Sequence, residues 1–278
     1  MVSPIKISLA ALAAMGCLSS AALASDPTPA EEGRKFTYSF NIGATSDYVF
    51  RGVSQNRENP AIQGGIDLGY GIAYFGLWAS NIDFGELPAG TNTVSTEIDV
   101  YGGIKPVWGP ATFDLGVIYY AYPGANDNGG AQAQEQDYVE FKAGVSGQFI
   151  SMLPKLTLGG VVFYSPEYQG KQGEVITTEA TAGYELPAIG IFTPTISALY
   201  GMQFGEGGST VGKFILANGK DDLAYWNVGI SLAVQKFTFD FRYWDTDISN
   251  SGTVSSNLCN GSALQCDERF VFSGKFTY

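Results

Sequence analysis

Residues 36–50 read FTYSFNIGATSDYVF, and their parity decides the fold. The even positions carry Phe36, Tyr38, Phe40, Ile42, Ala44, Ser46, Tyr48 and Phe50, whereas the odd ones carry Thr37, Ser39, Asn41, Gly43, Thr45, Asp47 and Val49. Side chains of a β-strand alternate between two faces, so this period of two predicts a strand with one apolar and one wet face. Continued to Gly52, the pattern puts Tyr48 and Phe50 on the apolar side and Asp47 and Arg51 on the wet side. Asp47 and Arg51 would then stand about 13 Å apart along the strand, too far to pair with one another.

The same alternation recurs downstream, and twelve such runs can be counted. Ile62, Ile66, Leu68 and Tyr70 alternate with Gln63 and Asp67; Ile98, Val100 and Ile104 with Glu97, Asp99 and Lys105; Phe113, Leu115, Val117 and Tyr119 with Thr112 and Asp114. Later runs set Val139, Phe141 and Val145 against Glu140 and Lys142, Ile176 and Ala180 against Glu179, and Phe239, Phe241 and Tyr243 against Asp240 and Arg242. The run from Ile72 to Phe84 is less regular, because Phe75 and Leu77 interleave with Tyr74 and Trp78.

The connections choose between a sandwich and a barrel. They alternate in length: residues 52–60 are followed by 69–71, 85–93 by KPVWGP, 123–136 by SMLPK, 165–173 by ELPAIG, and 205–222 by Gln235-Lys236, before the longest, 246–268. An even number of strands of about ten residues, with turns short at one end and long at the other, is the signature of a transmembrane antiparallel up-and-down β-barrel. Closure also leaves no sheet edge and satisfies every backbone polar group in lipid. Charged residues make up 15% of the chain, against about 25% in soluble domains, which fits a surface facing lipid. Trp78, Trp108, Trp226, Tyr48 and Tyr243 fall toward strand ends, where interfacial aromatics on the lipid side are expected.

Residues 1–24 read as a signal peptide, with Lys6 before an apolar stretch and Ala22-Leu23-Ala24 as a cleavage site. The rival reading, acylation at Cys17, is disfavoured by Ala14, where such boxes usually carry Leu. Residues 25–35 form a polar periplasmic tail, and 36–278 the barrel. The mature chain keeps 14 basic and all 27 acidic residues, a net charge of −13, which argues against nucleic acid as a partner. Two of its three cysteines, Cys259 and Cys266, remain after cleavage and are expected to form a disulfide in an external loop.

The chain has no histidine, which removes Ser-His-Asp chemistry and most zinc sites. Glu97 and Asp99 project from one face, but nothing accompanies them that resembles a catalytic constellation. No catalytic residue, cofactor or metal ligand is assigned. The inward face instead suggests a pore: Asp47, Asp67, Glu97, Asp99, Asp114, Glu140, Glu179 and Asp240 outnumber Arg51, Lys142 and Arg242, with Asp83, Arg269 and Lys275 adding one acid and two bases. An excess of carboxylates predicts a weakly cation-preferring lumen.

The segment SDYVFRGVSQ, together with the even barrel pattern from Phe36 to Tyr278, resembles the TorF family of porin-like outer-membrane proteins. The resemblance implies a cell outer-membrane location in a Gram-negative envelope and passive transport of small hydrophilic solutes or ions, with no catalytic residues. The alternative is a non-conducting barrel whose external loops bind partners or surface ligands. Phe276 and the terminal Tyr278 resemble the C-terminal signal read by the barrel-assembly machinery. Outer-membrane lipids and lipopolysaccharide complete the expected partners.

Overall fold

The computed structural model of the chain describes residues 35–83, 94–125, 136–170, 172–205, 222–248 and 266–278. The expected signal peptide, most of the tail and Cys259 lie outside them; Cys266 is disulfide-bonded. The strands are β1 (Phe36–Thr45), β2 (Val49–Phe50), β3 (Val53–Ser54), β4 (Ala61–Tyr70) and β5 (Ala73–Asn81). They continue with β6 (Thr96–Ile104), β7 (Val107–Trp108), β8 (Ala111–Ala121), β9 (Tyr138–Gly147) and β10 (Leu156–Ser165). The last are β11 (Val175–Glu185), β12 (Thr193–Gly205), β13 (Asp222–Val234), β14 (Phe237–Thr246) and β15 (Arg269–Thr277).

Thirteen of these form one sheet, in which the two-residue β7 only extends a turn beside β8. The other twelve pair antiparallel with their neighbours, β1 with β15 and β6 with β8 included, so the sheet closes into a barrel. The terminal residue helps seal it. Tyr278 exchanges two backbone hydrogen bonds with Phe40, at 3.1 and 2.9 Å, and stacks on its ring at a centroid separation of 5.0 Å.

Apolar side chains cover the outside, among them Ile42, Ile66, Leu115, Val162, Ile196 and Phe272, all exposed. Inside lie Ser80, Glu97, Thr177, Ser197, Asn227 and Asp240, all buried. Greasy outside and polar inside is the inverse of a soluble domain and fits a hydrocarbon surround.

Two expectations fail. The first strand does not run on to Phe50. It ends at Thr45, and Ser46 makes the last backbone hydrogen bond with β15, its N–H donating to Phe272 O at 2.8 Å. The chain then leaves the wall as a hairpin, β2 against β3, with Gln55 N donating to Tyr48 O at 2.7 Å. Its two-residue turn, Arg51-Gly52, has φ of 50° and 82°, the all-positive geometry whose twist suits a tight β-hairpin. Tyr48 and Phe50 are therefore buried rather than facing lipid. The second failure is Trp78, also buried, because in β5 it is Phe75 and Leu77 that face outward.

Candidate functional site: a hairpin across the lumen

The hairpin is rooted between β1 and β4 and reaches several walls. Tyr48 donates its hydroxyl to Glu97 Oε1 on β6 at 3.1 Å, and its ring packs edge-on against Trp78. Arg51 clamps Glu140 on β9 with both terminal nitrogens, at 2.8 and 2.7 Å, while Tyr120 donates to the same carboxylate at 3.0 Å. Its guanidinium also lies 4.9 Å from the ring centroid of Phe163 on β10, diametrically opposite β1 in the strand order. At the tip, Gly52 lies so close to Tyr225 and Thr246 that an added Cβ would come within 2.8 and 2.5 Å of their side chains. The hairpin thus crosses the barrel and touches its far side.

The root is tied down by polar contacts. Asp47 accepts Ser54 Oγ at 2.7 Å and Arg269 at 2.9 Å, and Arg269 also approaches Glu58 to 3.3 Å. Outside the strands, desolvation raises the pKa of the Glu58 carboxyl, with Arg269 opposing the shift and Asp47 adding to it. Burial likewise raises that of the Tyr168 hydroxyl, against the pull of Arg51, so this loop residue stays neutral beside the guanidinium.

The other predicted inward charges fall into separate groups. Arg242 is held by Asp240 at 3.1 and 2.9 Å, Asn227 at 2.7 Å and Ser197 at 2.9 Å. Lys142 meets Asp114 at 2.6 Å, with Lys105 at 4.0 Å, and both ammonium groups lie over the Tyr74 ring. Lys105 thus adds a further base to the inward face, as its parity in the sequence predicts. Asp67 and Glu179 take tyrosine hydroxyls, from Tyr101 at 2.5 Å and Tyr225 at 2.6 Å. Glu97 and Asp99 are buried side by side on β6.

Eleven of the charges expected inside, from Asp47 to Arg242, are buried or half-buried within the barrel or on the hairpin, but they do not form one ring; Asp83, also expected inside, is partly exposed and lies 3.9 Å from Arg57. Sequence reasoning missed the inward aromatic layer: Tyr120 stacks on Tyr138 at 4.3 Å, and Tyr138 meets Tyr168 at 4.7 Å. Inward parity of Tyr120 and Tyr138 was available as a signal. Tyr168, in a loop, gave none.

Residues 29–277 match the model of a family described as "Bacterial protein of unknown function (Gcw_chp)". No curated protein matches the chain in sequence. Among solved structures, a NanC porin is similar over 87% of this chain and 100% of its own, at 10% identity and a TM-score of 0.47. A KdgM porin is similar over 86% and 99%, at 9% identity and 0.47. LpxR from Salmonella typhimurium is similar over 86% and 99%, at 11% identity and 0.46. Likeness at this level carries no inference about activity.

Proposed function

The chain belongs to the Gcw_chp family of bacterial proteins of unknown function, so its role has to be argued from its own barrel, and we propose an outer-membrane channel for small ions or hydrophilic solutes, weakly cation-preferring and narrowed by the hairpin. Export through a cleaved signal peptide at residues 1–24 and assembly through the C-terminal Phe276 and Tyr278 belong to this proposal. The reading is non-enzymatic, in keeping with the absence of histidine. The resemblance of SDYVFRGVSQ to TorF-family porins supports it.

The observation that carries the proposal is the balance of inward charge. Arg51, Arg242, Arg269 and Lys142 each sit against a carboxylate, while Asp67, Glu97 and Glu179 accept tyrosine hydroxyls instead. The inward face thus carries more acidic than basic side chains, and such an excess favours cations. Recording single channels in a planar bilayer under a potassium chloride gradient tests this. A reversal potential on the potassium side is expected; one on the chloride side refutes the preference.

A second reading, the non-conducting barrel with loops as binding surfaces, is favoured by the hairpin itself. Arg51, Glu140, Tyr120 and Tyr225 are buried where it crosses. Absence of any conductance, even after the hairpin is removed, would select this reading.

A further inference from the structure

Three short turns at one end of the barrel expose large apolar side chains. Trp108, after β6, is 81% exposed; Met152, after β9, is 88% exposed; Ile189 and Ile191, after β11, are 67% and 75% exposed. These turns are neighbours. A Cβ on Gly147, where β9 ends, would meet Pro110 of the first turn and Phe149 of the second. Lys155 of the second turn pairs at 2.8 Å with Glu185, where β11 leads into the third. Ile189 and Phe192 exchange backbone hydrogen bonds of 2.9 and 3.1 Å, which pins the third turn. The result is an apolar rim below β6 and β8 to β12, consecutive strands that make up half of the ring. Across the barrel, the turn between β13 and β14 is Gln235-Lys236 and has no apolar side chain. Scattered exposed apolar residues are ordinary, but a contiguous patch marks a surface that something covers.

We propose that this rim docks into the headgroup layer of the periplasmic leaflet, so that lipid covers it rather than a protein. Continuity is the first argument. The outward wall stays apolar down to the strand ends, through the exposed Phe113, Val145 and Ile196, and the rim extends it. Depth is the second. The strands above the rim have nine to thirteen residues. Tilted by roughly 40°, such strands already span an apolar band of about 25 Å, so side chains just past their ends fall in the interfacial layer, roughly 5–8 Å thick. Trp108 suits that layer, with an apolar ring and a polar N–H. Charge is the third argument. Residues 71–72, 105–110, 148–155, 186–192 and 235–236 contain no Asp or Glu, whereas every longer connection at the other end has at least one. Lipid phosphates repel carboxylates at every turn alike, a constraint that a protein docking on one side would not impose. The rim would seat its half of the barrel deeper than the other half and so fix the tilt. This rests on the membrane-spanning reading of the barrel and not on conduction.

Electron paramagnetic resonance tests the rim on the mature chain, disulfide intact, in vesicles of phosphatidylethanolamine and phosphatidylglycerol. A nitroxide is attached at Met152→Cys or, separately, at Ile191→Cys, both exposed positions where a label displaces no packed neighbour. The reference is Lys35→Cys, at the base of β1 across the barrel. Oxygen concentrates in lipid, whereas a nickel chelate stays in water. The ratio of oxygen to chelate collisions is expected to be several-fold higher at positions 152 and 191 than at 35. Equal chelate access at all three positions puts the rim in water and overturns the proposal. Shielding from both reagents means that protein covers the rim, a second copy where the labels also broaden one another, and overturns it too. Heat-modifiable gel mobility of the same samples reports on the barrel wall, and bilayer recording on the channel, so each failure is distinguishable from that of the rim.

Discussion

Arg51 occupies a backbone conformation that favours glycine or asparagine, with φ of 50°. A non-glycine residue there costs on the order of 1 kcal/mol or more. The cost is offset by two charge-assisted bonds to Glu140 and by contact with the Phe50 and Phe163 rings, 4.6 and 4.9 Å from the guanidinium. Truncating one member of a buried ion pair typically costs about 3–5 kcal/mol, because the other charge is left behind. The hairpin can leave the wall, whereas the barrel strands cannot, so Arg51→Ala is expected to free the hairpin without unfolding the barrel. Limited proteolysis should then cut within residues 46–60 while the barrel fragment persists; unchanged protection would show that Arg51 does not hold the hairpin. Gly52→Ala acts in the same direction for a steric reason, since its φ is 82° and a Cβ would meet Thr246 and Tyr225. Of this residue-level picture the sequence showed only that Arg51 needs a distant partner. It did not show which one.

At the scale of the element, the hairpin explains why parity misled. Tyr48 and Phe50 continue the even-numbered apolar series of β1, so local pattern alone extends the strand. The difference lies in what each face meets. β1 has one face toward lipid and one inward, whereas Tyr48, Val49, Phe50 and Val53 are all buried, because the hairpin is enclosed by the barrel. Trp78 misled in a similar way: it is an aromatic near a strand end, yet it packs inside against Tyr48. Replacing residues 48–55 by a short Gly-Ser link should raise single-channel conductance several-fold if the hairpin closes the pore. Equal conductance with and without it would show that closure lies elsewhere.

At the scale of the molecule, closure depends on an unbroken ring of paired strands. Such a ring is expected to resist detergent until heated, so the unheated protein should run at a different apparent mass from the heated one on a denaturing gel. A single mobility at both temperatures would contradict a closed barrel. Strand count and loop alternation were legible in the sequence because each rests on short-range signals. The order of strands followed as well, since short and long hairpin connections leave each strand beside its sequence neighbour.

By itself, the sequence determined that this chain forms twelve antiparallel strands with an apolar exterior and an acidic interior, because alternation and turn length act over a few residues. Only the tertiary structure decided that residues 46–54 turn inward, that Arg51 meets Glu140 across 89 positions and Arg269 meets Asp47 across 222, and that Glu97 is capped by Tyr48 of the hairpin. Those outcomes depend on which side chains closure brings face to face across the lumen, and periodicity along one strand carries no information about the opposite wall.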